Sequence, residues 1–326
     1  MTDGIVVIDK PLGMTSHDVV SRLRRCLGIR RIGHAGTLDP DASGVLVLGV
    51  GKATRLLTYL VGDDKDYDAV IRLGASTVTD DAAGDVLARC SPQQIAAVSD
   101  ELIRERVADF IGVIDQRPSA VSAVKVDGQR SYARVRAGEQ VELPTRRVTV
   151  SRFDVLTLDR ADDHIDVSVQ LTVSSGTYVR ALARDLGQAC GVGGHVRSLR
   201  RTRSGDFSID QAQQLPESGE SIPLIPLATA MRSSLSVLEV TAEQASALAH
   251  GRRITVGGVL GEVAANADQQ AGAHLNASTS REPARGQQDE DSDPRRGVVG
   301  VVTSTGTAVA VCRWQGHELA PDIVFV

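Results

Sequence analysis

The chain has 326 residues, of which 42% are hydrophobic and 3% aromatic, and its formal net charge is -5. A chain of this length can bury a full core and is expected to hold more than one domain. The negative net charge excludes nucleic-acid binding through a general positive field, although it leaves room for a local basic surface.

The cysteines and the hydropathy of the chain indicate which classes of protein can be excluded. The four cysteines are far apart and form no CxxC pair, which argues against a zinc site and against a disulfide framework. No stretch is long and apolar enough to span a bilayer, and the N-terminus lacks a basic segment followed by a long apolar core. We therefore expect a soluble, cytoplasmic protein without a metal and without membrane insertion.

The first predicted strand is the β-branched run Ile5–Ile8, which ends before Pro11 because proline cannot continue strand pairing. A helix is predicted next, with Ser16 as its N-cap, apolar residues at helical spacing, and Gly28 at its end. A Gly-rich loop over residues 33–40 then leads into the apolar run Val45–Val50, which predicts a buried strand.

A helical segment is predicted over residues 52–60, followed by a strand over residues 67–73. Alternation places Tyr67, Ala69, Ile71 and Leu73 on one face of this strand, with Tyr67 at its end. Farther along, the pattern predicts a helix over residues 95–110, a strand over 167–174 and a helix over 178–188. Residues 194–205 form a strongly basic segment.

Two stretches lack the periodicity of a core element. Residues 115–147 hold several Arg and Lys and are predicted to form a flap, and residues 216–226 read as a domain linker. The remainder predicts a small second domain of short strands. Within it, residues 264–296 contain almost no apolar side chain, so we predict a disordered insertion there.

Three side chains are candidates for chemistry from their local setting. Asp39 lies between Leu38 and Pro40, where a restricted backbone can present a nucleophile or a base; alternatively, Asp-Pro only starts a turn. Arg180 lies in the first turn of a predicted helix, where a cation opposes the macrodipole, as an ordinary surface arginine can tolerate. Tyr67 is either a core aromatic or a stacking surface.

The string GHAGTLDPDASGVLVLGVGKATR resembles the signature of the TruB family of tRNA pseudouridine synthases. The family's pattern is Gly-His-x-Gly-x-Leu-Asp-Pro-x-Ala-x-Gly-x-Leu, and each fixed position is filled. The similarity continues through DKPLGMTSHDVV, KDYDAVIRLGASTVTDDAAGDV, QRPSAVSAVKVDGQRSYARVRAG, SSGTYVRALARDLG and GGHVRSLRRTRSGDF, and so covers about residues 4 to 230.

The resemblance implies that Asp39 is the catalytic residue. The reaction breaks the bond from C1′ to N1 of a uridine and makes one from C1′ to C5, without a cofactor. Attack on C1′, removal of a C2′ proton to give a glycal, and addition to C6 all remain open routes for one carboxylate. By the same resemblance, Arg180 pairs with Asp39 and keeps it ionised.

The resemblance also assigns binding roles. Tyr67 stacks on the target base and is a candidate for removing the C5 proton, while Leu199 packs on the other side of the pocket. His34, either a backbone-bonded loop histidine or an RNA contact, would fill the space that the extruded base leaves. The basic residues expected to face phosphates are Lys10, Arg197, Arg200, Arg201 and Arg203.

The implied architecture is α+β. Residues 1–230 would form a catalytic domain with a mixed, mainly antiparallel sheet flanked by helices and with the 115–147 flap contacting RNA. Residues 231–326 would form a small PUA-like RNA-binding domain. The implied substrate is the T arm of tRNA at uridine 55, the Ψ of TΨC, bound by a monomer that needs no cofactor. The alternatives are a non-catalytic tRNA chaperone or RNA-binding module, and an α/β protein whose Gly-rich loops are only turns.

Overall fold

The protein is represented by a computed structural model that describes residues 3–119, 143–217, 220–256 and 297–326, with the backbone of two short strands between residues 125 and 130. Most of the predicted flap and all of the predicted insertion at 264–296 lie outside the described residues. The α+β prediction is confirmed, because the described chain forms a ten-stranded sheet and a five-stranded sheet with helices packed against them.

The elements of the first part of the chain surround the Asp39 loop. In chain order they are β1 (Gly4–Lys10), α1 (Ser16–Leu27), β2 (Ile32–Ala35), β3 (Ala42–Val50), a 3-10 turn (Gly51–Arg55), α2 (Leu57–Leu60), β4 (Lys65–Leu73), β5 (Ala75–Thr77), β6 (Val86–Arg89), α3 (Pro92–Ala97), α4 (Asp100–Ala108), β7 (Gly112–Gln116), β8 (Lys125–Val126) and β9 (Gln129–Arg130).

The second part completes the large sheet and forms the small one. Its elements are β10 (Arg146–Arg160), β11 (Ile165–Val173), α5 (Val179–Ala189), β12 (Gly194–Ser204), β13 (Phe207–Ser208), a 3-10 turn (Ile209–Gln211), β14 (Ile225–Pro226), α6 (Leu227–Ser234), β15 (Val237–Val240), α7 (Ala242–Ala249), β16 (Ile254–Thr255), β17 (Val298–Thr303), β18 (Ala308–Gln315) and β19 (Glu318–Val324).

The large sheet has the order β14-β1-β3-β12-β4-β11-β10-β7, with β2 on β3 and β13 on β12. Among the described strands of this sheet, β3 and β12 pair in parallel and the other pairs are antiparallel. The parallel register sets Leu199 opposite Ala42, three residues after Asp39. This pairing brings the basic strand β12 beside the Asp39 loop.

The start of α1 differs from the prediction. Thr15, not Ser16, is the N-cap: its side chain accepts a hydrogen bond from the Asp18 amide, and the Asp18 carboxylate accepts one from the Thr15 amide. Ser16 is buried and its hydroxyl bonds to both backbone groups of Leu38, at 3.0 and 2.9 Å. The predicted end at Gly28 is confirmed by its left-handed backbone.

Other elements also have different boundaries in the structure from those predicted. The helix predicted over residues 95–110 is two helices, α3 and α4, because Ser99 caps a second helix through the Leu102 amide. The strand predicted from Tyr67 begins two residues earlier, so Tyr67 is not at its end, but the predicted face of Tyr67, Ala69, Ile71 and Leu73 is buried. The basic segment 194–205 is strand β12.

The five-stranded sheet has the order β15-β17-β18-β19-β16 and forms the expected β-rich C-terminal part. The predicted linker ends in β14, which pairs with β1, and α6 then packs against β1 as well as β17 and β18. One apolar cluster therefore joins both sheets, with Val7, Val47, Met231, Val302 and Phe325 among its members. Within the described ranges, no helix has the length and apolar character needed to cross a membrane.

Candidate active site

Asp39 lies on the loop between β2 and β3, and its neighbours are fixed. Leu38 is buried and held by Ser16, while the Pro40 carbonyl accepts from the Gly13 amide at 2.8 Å. The Asp39 side chain itself is 44% exposed. The loop thus presents a carboxylate to a substrate from a backbone that is anchored on both sides.

Arg180, the second residue of α5, reaches Asp39. Its Nε lies 2.9 Å from Asp39 Oδ2, and its side chain is only 8% exposed. Its Nη1 donates to the Thr79 carbonyl at 2.8 Å and lies 3.5 Å from Asp81 Oδ2. This burial does not fit the alternative interpretation of Arg180 as an ordinary surface arginine. The guanidinium is instead held between two carboxylates and a carbonyl, as a buried cation requires.

Asp81 is a part of this site that the sequence analysis missed. It lies between β5 and β6, is 15% exposed, and faces the same guanidinium as Asp39. Its sequence signal is only its place in TVTDDAAGDV, within a segment that resembles the family. The family resemblance implied the pairing of Asp39 with Arg180, but nothing in the sequence connects Asp81 with either residue, so only the tertiary fold shows its contact.

A cavity of about 280 Å³ opens in front of the ion pair. Asp39 and Arg180 lie on its wall, and strand β12 forms another side through residues 196–199. The lining residues are Leu12, Asp39, Asp41, Ala42, Asp81, Ala82, Ala83, Arg180, Val196, Arg197, Ser198 and Leu199. The cavity combines an apolar side with a charged end, an arrangement that suits a small planar ligand.

The two residues expected to hold the base differ in position. Leu199 lines the cavity, and it packs against the buried cluster that contains Leu38, Ala42 and Tyr67. Tyr67 on β4 is 8% exposed and lies beside Arg201 of β12 in the sheet register. It is not among the residues that line this cavity, and it belongs to the same buried cluster as Leu38, the residue before Asp39.

Lys10 and Arg201 do not fit the expected phosphate contacts, because both are buried, at 0% and 1% exposure. Lys10 Nζ donates to the carbonyls of Pro11, Met14 and Pro40, at 2.9, 2.6 and 3.3 Å. Burial lowers its pKa, an effect that nearby aspartates partly oppose. The ammonium thus binds the segment between β1 and α1 to the Asp39 loop at Pro40 rather than binding a ligand.

Arg201 has a similar structural position on β12. Its Nε donates to the Val45 carbonyl at 2.7 Å, and its two terminal nitrogens donate to the carbonyls of Thr37 and Gly36 at 3.4 and 3.2 Å. These bonds satisfy carbonyls of the loop that leads to Asp39. The pairing of β12 with β4 shifts register between residues 201 and 203, next to this buried arginine.

The other three predicted phosphate-binding arginines remain at the surface. Each pairs with an aspartate: Arg197 with Asp166 at 2.6 Å, Arg200 with Asp9 at 2.8 Å, and Arg203 with Asp66 at 2.6 Å. Their side chains are 53%, 41% and 35% exposed, in the same order. Strand β12 therefore presents guanidinium groups to solvent beside the cavity, although their charge is partly balanced.

His34 lies on strand β2 rather than in a loop, where it pairs with Leu48 of β3. It is half-buried and does not line the cavity. Burial and then the positive charge of Arg201 lower the pKa of His34, so the imidazole is neutral at neutral pH.

The sequence matches two known domains. Residues 24–179 match the TruB family pseudouridylate synthase (N terminal domain), and residues 180–217 match the tRNA pseudouridylate synthase B C-terminal domain. The tRNA pseudouridine synthase B of Leifsonia xyli subsp. xyli is 54% identical over 255 residues, 78% of this chain and 84% of that protein. That of an Arthrobacter species is 52% identical over 276 residues, 84% and 89% of the two chains.

Solved structures share the fold. A chain in the structure of an H/ACA RNP bound to a substrate RNA containing 2′-deoxyuridine aligns with a TM-score of 0.65 at 24% identity, over 99% of this chain and 85% of that one. A chain of a Cbf5-Nop10-Gar1 complex aligns with a TM-score of 0.64 at 26% identity, over 99% and 84%. On the domain matches and the extent of identity, this chain belongs to the TruB family of pseudouridylate synthases, a family of isomerases.

Proposed function

We propose that this isomerase converts uridine 55 in the T arm of tRNA, the Ψ of TΨC, to pseudouridine. The contact between Asp39 and Arg180 at the cavity wall carries the proposal, because it supplies an ionised carboxylate where a flipped base would lie. The printed names of the relatives, tRNA pseudouridine synthase B, support tRNA as the substrate. We further propose that the protein acts as a cytoplasmic monomer.

Asp39 performs the chemistry in this proposal. The bond from C1′ to N1 breaks, the bond from C1′ to C5 forms, the C5 proton leaves and N1 gains a proton, so that no electrons or groups are added. The carboxylate acts as a nucleophile at C1′ or C6, or as a base at C2′. Arg180 keeps it charged and fixes its direction, and Asp81 holds the other side of the guanidinium.

The base must leave the RNA stack to reach this carboxylate. Leu199, on the cavity wall, packs against one face of the base, and Tyr67 belongs to the buried cluster that Leu199 contacts. In this proposal Tyr67 reaches the base and accepts the C5 proton, and His34 occupies the space left in the RNA loop. Arg197, Arg200 and Arg203 of β12 exchange their aspartate partners for phosphates.

The test uses a T-arm stem-loop that carries tritium at C5 of each uridine. Isomerisation must release tritium from the target position, whereas binding or refolding by a chaperone cannot. We expect about one tritium per RNA to be released, since one uridine is converted. The same RNA with cytidine at position 55 should release none. Binding of the folded stem-loop without tritium release would refute the proposal and favour the chaperone.

A further inference from the structure

Asp80 combines two unfavourable features. Among the described residues other than glycine, Asp80 alone has a left-handed backbone, with a φ of 59°. Its side chain is also only 11% exposed. A left-handed backbone disfavours residues that carry a Cβ, and a buried carboxylate is unfavourable unless it is paired. Asp80 lies between Thr79 and Asp81, both of which contact Arg180.

The Asp80 carboxylate is held from two directions. Oδ2 accepts a hydrogen bond from the Ser119 hydroxyl at 2.7 Å and another from Arg184 Nη1 at 3.1 Å. Ser119 is completely buried, and Arg184 lies on α5 one turn beyond Arg180. Burial raises the pKa of Asp80, while Ser119 and then Arg184 lower it, so these two partners stabilise the charged form.

The backbone around Asp80 is attached to β12 at the same time. The Asp80 carbonyl accepts from the Val196 amide at 3.0 Å, and the Ala82 amide donates to the Val196 carbonyl at 2.9 Å. The turn is thus fixed by β12 on one side and by the Asp80 carboxylate on the other. Its geometry decides where the Thr79 carbonyl and the Asp81 carboxylate meet Arg180.

The chain before Ser119 contacts the same helix. The Gln116 side chain bonds to both backbone groups of Tyr178, at 2.8 and 3.1 Å, and Arg184 Nη2 donates to the Arg117 carbonyl at 2.8 Å. Gln116 is 1% exposed. Residues 116–119 therefore hold the start of α5 directly, and they hold the 79–81 turn through Asp80.

We propose that Asp80, Ser119 and Arg184 form a positioning triad that holds Thr79 and Asp81 against Arg180 and so directs its guanidinium to Asp39. This inference rests on the proposed roles of Asp39 and Arg180. It assigns Asp80 a part in the reaction rate through its neighbours, without contact with the RNA. The alternative is that Asp80 is only a satisfied turn residue, important for stability and nothing else.

Asp80→Asn is the most direct variant, because asparagine tolerates a left-handed backbone and keeps the side-chain shape. It removes the charge that Arg184 pairs with. We expect the single-turnover rate at saturating enzyme to fall on the order of tenfold to a hundredfold, as misplacement of a catalytic pair does. RNA affinity should stay unchanged. Ser119→Ala and Arg184→Met should lower the same rate constant.

Two controls separate positioning from stability. Arg232→Met removes an exposed arginine that pairs with Glu239 at 2.8 Å, and it should leave the rate unchanged. In an Arg180→Lys background, which retains part of the activity, Asp80→Asn should cost little further rate, because Asp80 acts through Arg180. A purely structural role would instead lower the melting temperature and give the same loss in both backgrounds.

The outcomes distinguish the triad from the proposed function. Asp39→Asn measured alongside should be inactive; if it keeps the parental rate, the proposed function fails. If Asp39→Asn is inactive while Asp80→Asn turns over at the parental rate, only the triad is overturned. Equal losses from Asp80→Asn in the parental and Arg180→Lys backgrounds would also overturn it. Should Asp80→Asn not fold, Ser119→Ala decides by the same two comparisons.

Discussion

At the scale of single residues, the site depends on a difference in exposure between two ion-pair partners. The Asp39 side chain is 44% exposed and the Arg180 side chain 8%. The arginine cannot exchange its partners for water, whereas the carboxylate can meet a substrate. In the proposed mechanism, the buried guanidinium of Arg180 therefore orients the accessible, reactive carboxylate of Asp39.

Replacement of Arg180 tests that description. Arg180→Met should lower the single-turnover rate by at least about a hundredfold, because Asp39 loses the cation that orients it and balances its charge. Arg180→Lys should recover only part of the rate, because a point charge lacks the planar fork. Parental rates for Arg180→Met would contradict this role.

Lys65 gives a pH-dependent prediction about stability. It is 6% exposed, and burial together with the nearby Arg201 charge lowers its pKa from 10.5 to about 8. Between these values the unfolded chain binds a proton that the folded chain has released, so the free energy of unfolding should rise with pH. Below about pH 8 Lys65 is protonated in both the folded and the unfolded chain, so the free energy of unfolding is lowered by the full cost of burying its charge.

The slope from this group is at most about 1.4 kcal/mol per pH unit. Urea unfolding of the parent and of Lys65→Met across that pH interval isolates it, because other titrating groups are common to both proteins. The parent should gain stability relative to the variant as pH rises. A constant difference between the two proteins would show that Lys65 has an ordinary pKa.

At the scale of elements, the parallel contact between β3 and β12 requires a glycine. Gly44 has a φ of 102°, and a Cβ there would lie 2.1 Å from the Arg201 carbonyl oxygen. Gly13 has a φ of 81° with nothing within 4 Å, so it offers a matched control for backbone strain alone. The pairing of β3 with β12 at Gly44 sets the distance between the Asp39 loop and Leu199.

Alanine at these two positions should have different effects. Gly13→Ala should cost about 1–2 kcal/mol, the strain of a left-handed residue. Gly44→Ala should cost more, because it adds a backbone clash that separates the two strands, and it should also lower the reaction rate. Urea unfolding and single-turnover rates measure both effects. Equal costs would show that the strands move apart without penalty.

Elements with a regular pattern were predictable from sequence. The alternation of β4 and the apolar spacing of α1 and α5 are local signals, and the structure confirms them. Strand β10 carried no such signal, because most of its 15 residues are exposed or half-buried and do not alternate. The burial of Lys10 and Arg201 could not be predicted from the neighbouring sequence. A basic side chain that binds loop carbonyls has no sequence pattern that distinguishes it from one that faces water.

At the scale of the whole molecule, a chain with a net charge of -5 must bind a polyanion. Strand β12 offers guanidinium groups at the surface, each paired with an aspartate that a phosphate would displace in the proposed complex. The Asp39–Arg180 contact was predictable because the family resemblance implied it, whereas Asp81 and the partners of β12 depend on the tertiary fold. The two sheets share an apolar cluster, so they pack directly against each other.

RNA affinity should accordingly fall steeply with salt. Substituting Arg200 by glutamine should reduce the slope of log affinity against log salt by about 1 if Arg200 contacts a phosphate. Arg232→Gln, which alters an exposed pair on α6, should leave the slope unchanged. Stem-loop binding at several salt concentrations gives both slopes. Affinity that does not depend on salt would exclude phosphate contacts as the source of binding.

The central claim is that Asp39 carries the reaction, and one measurement tests it most directly. Asp39→Asn keeps the side-chain shape but removes the nucleophile and base. Its single-turnover tritium release should be measured from a T-arm stem-loop at saturating enzyme, with stem-loop affinity measured on the same sample. We predict parental affinity and no detectable release. Pseudouridine formation near the parental rate would contradict the mechanism.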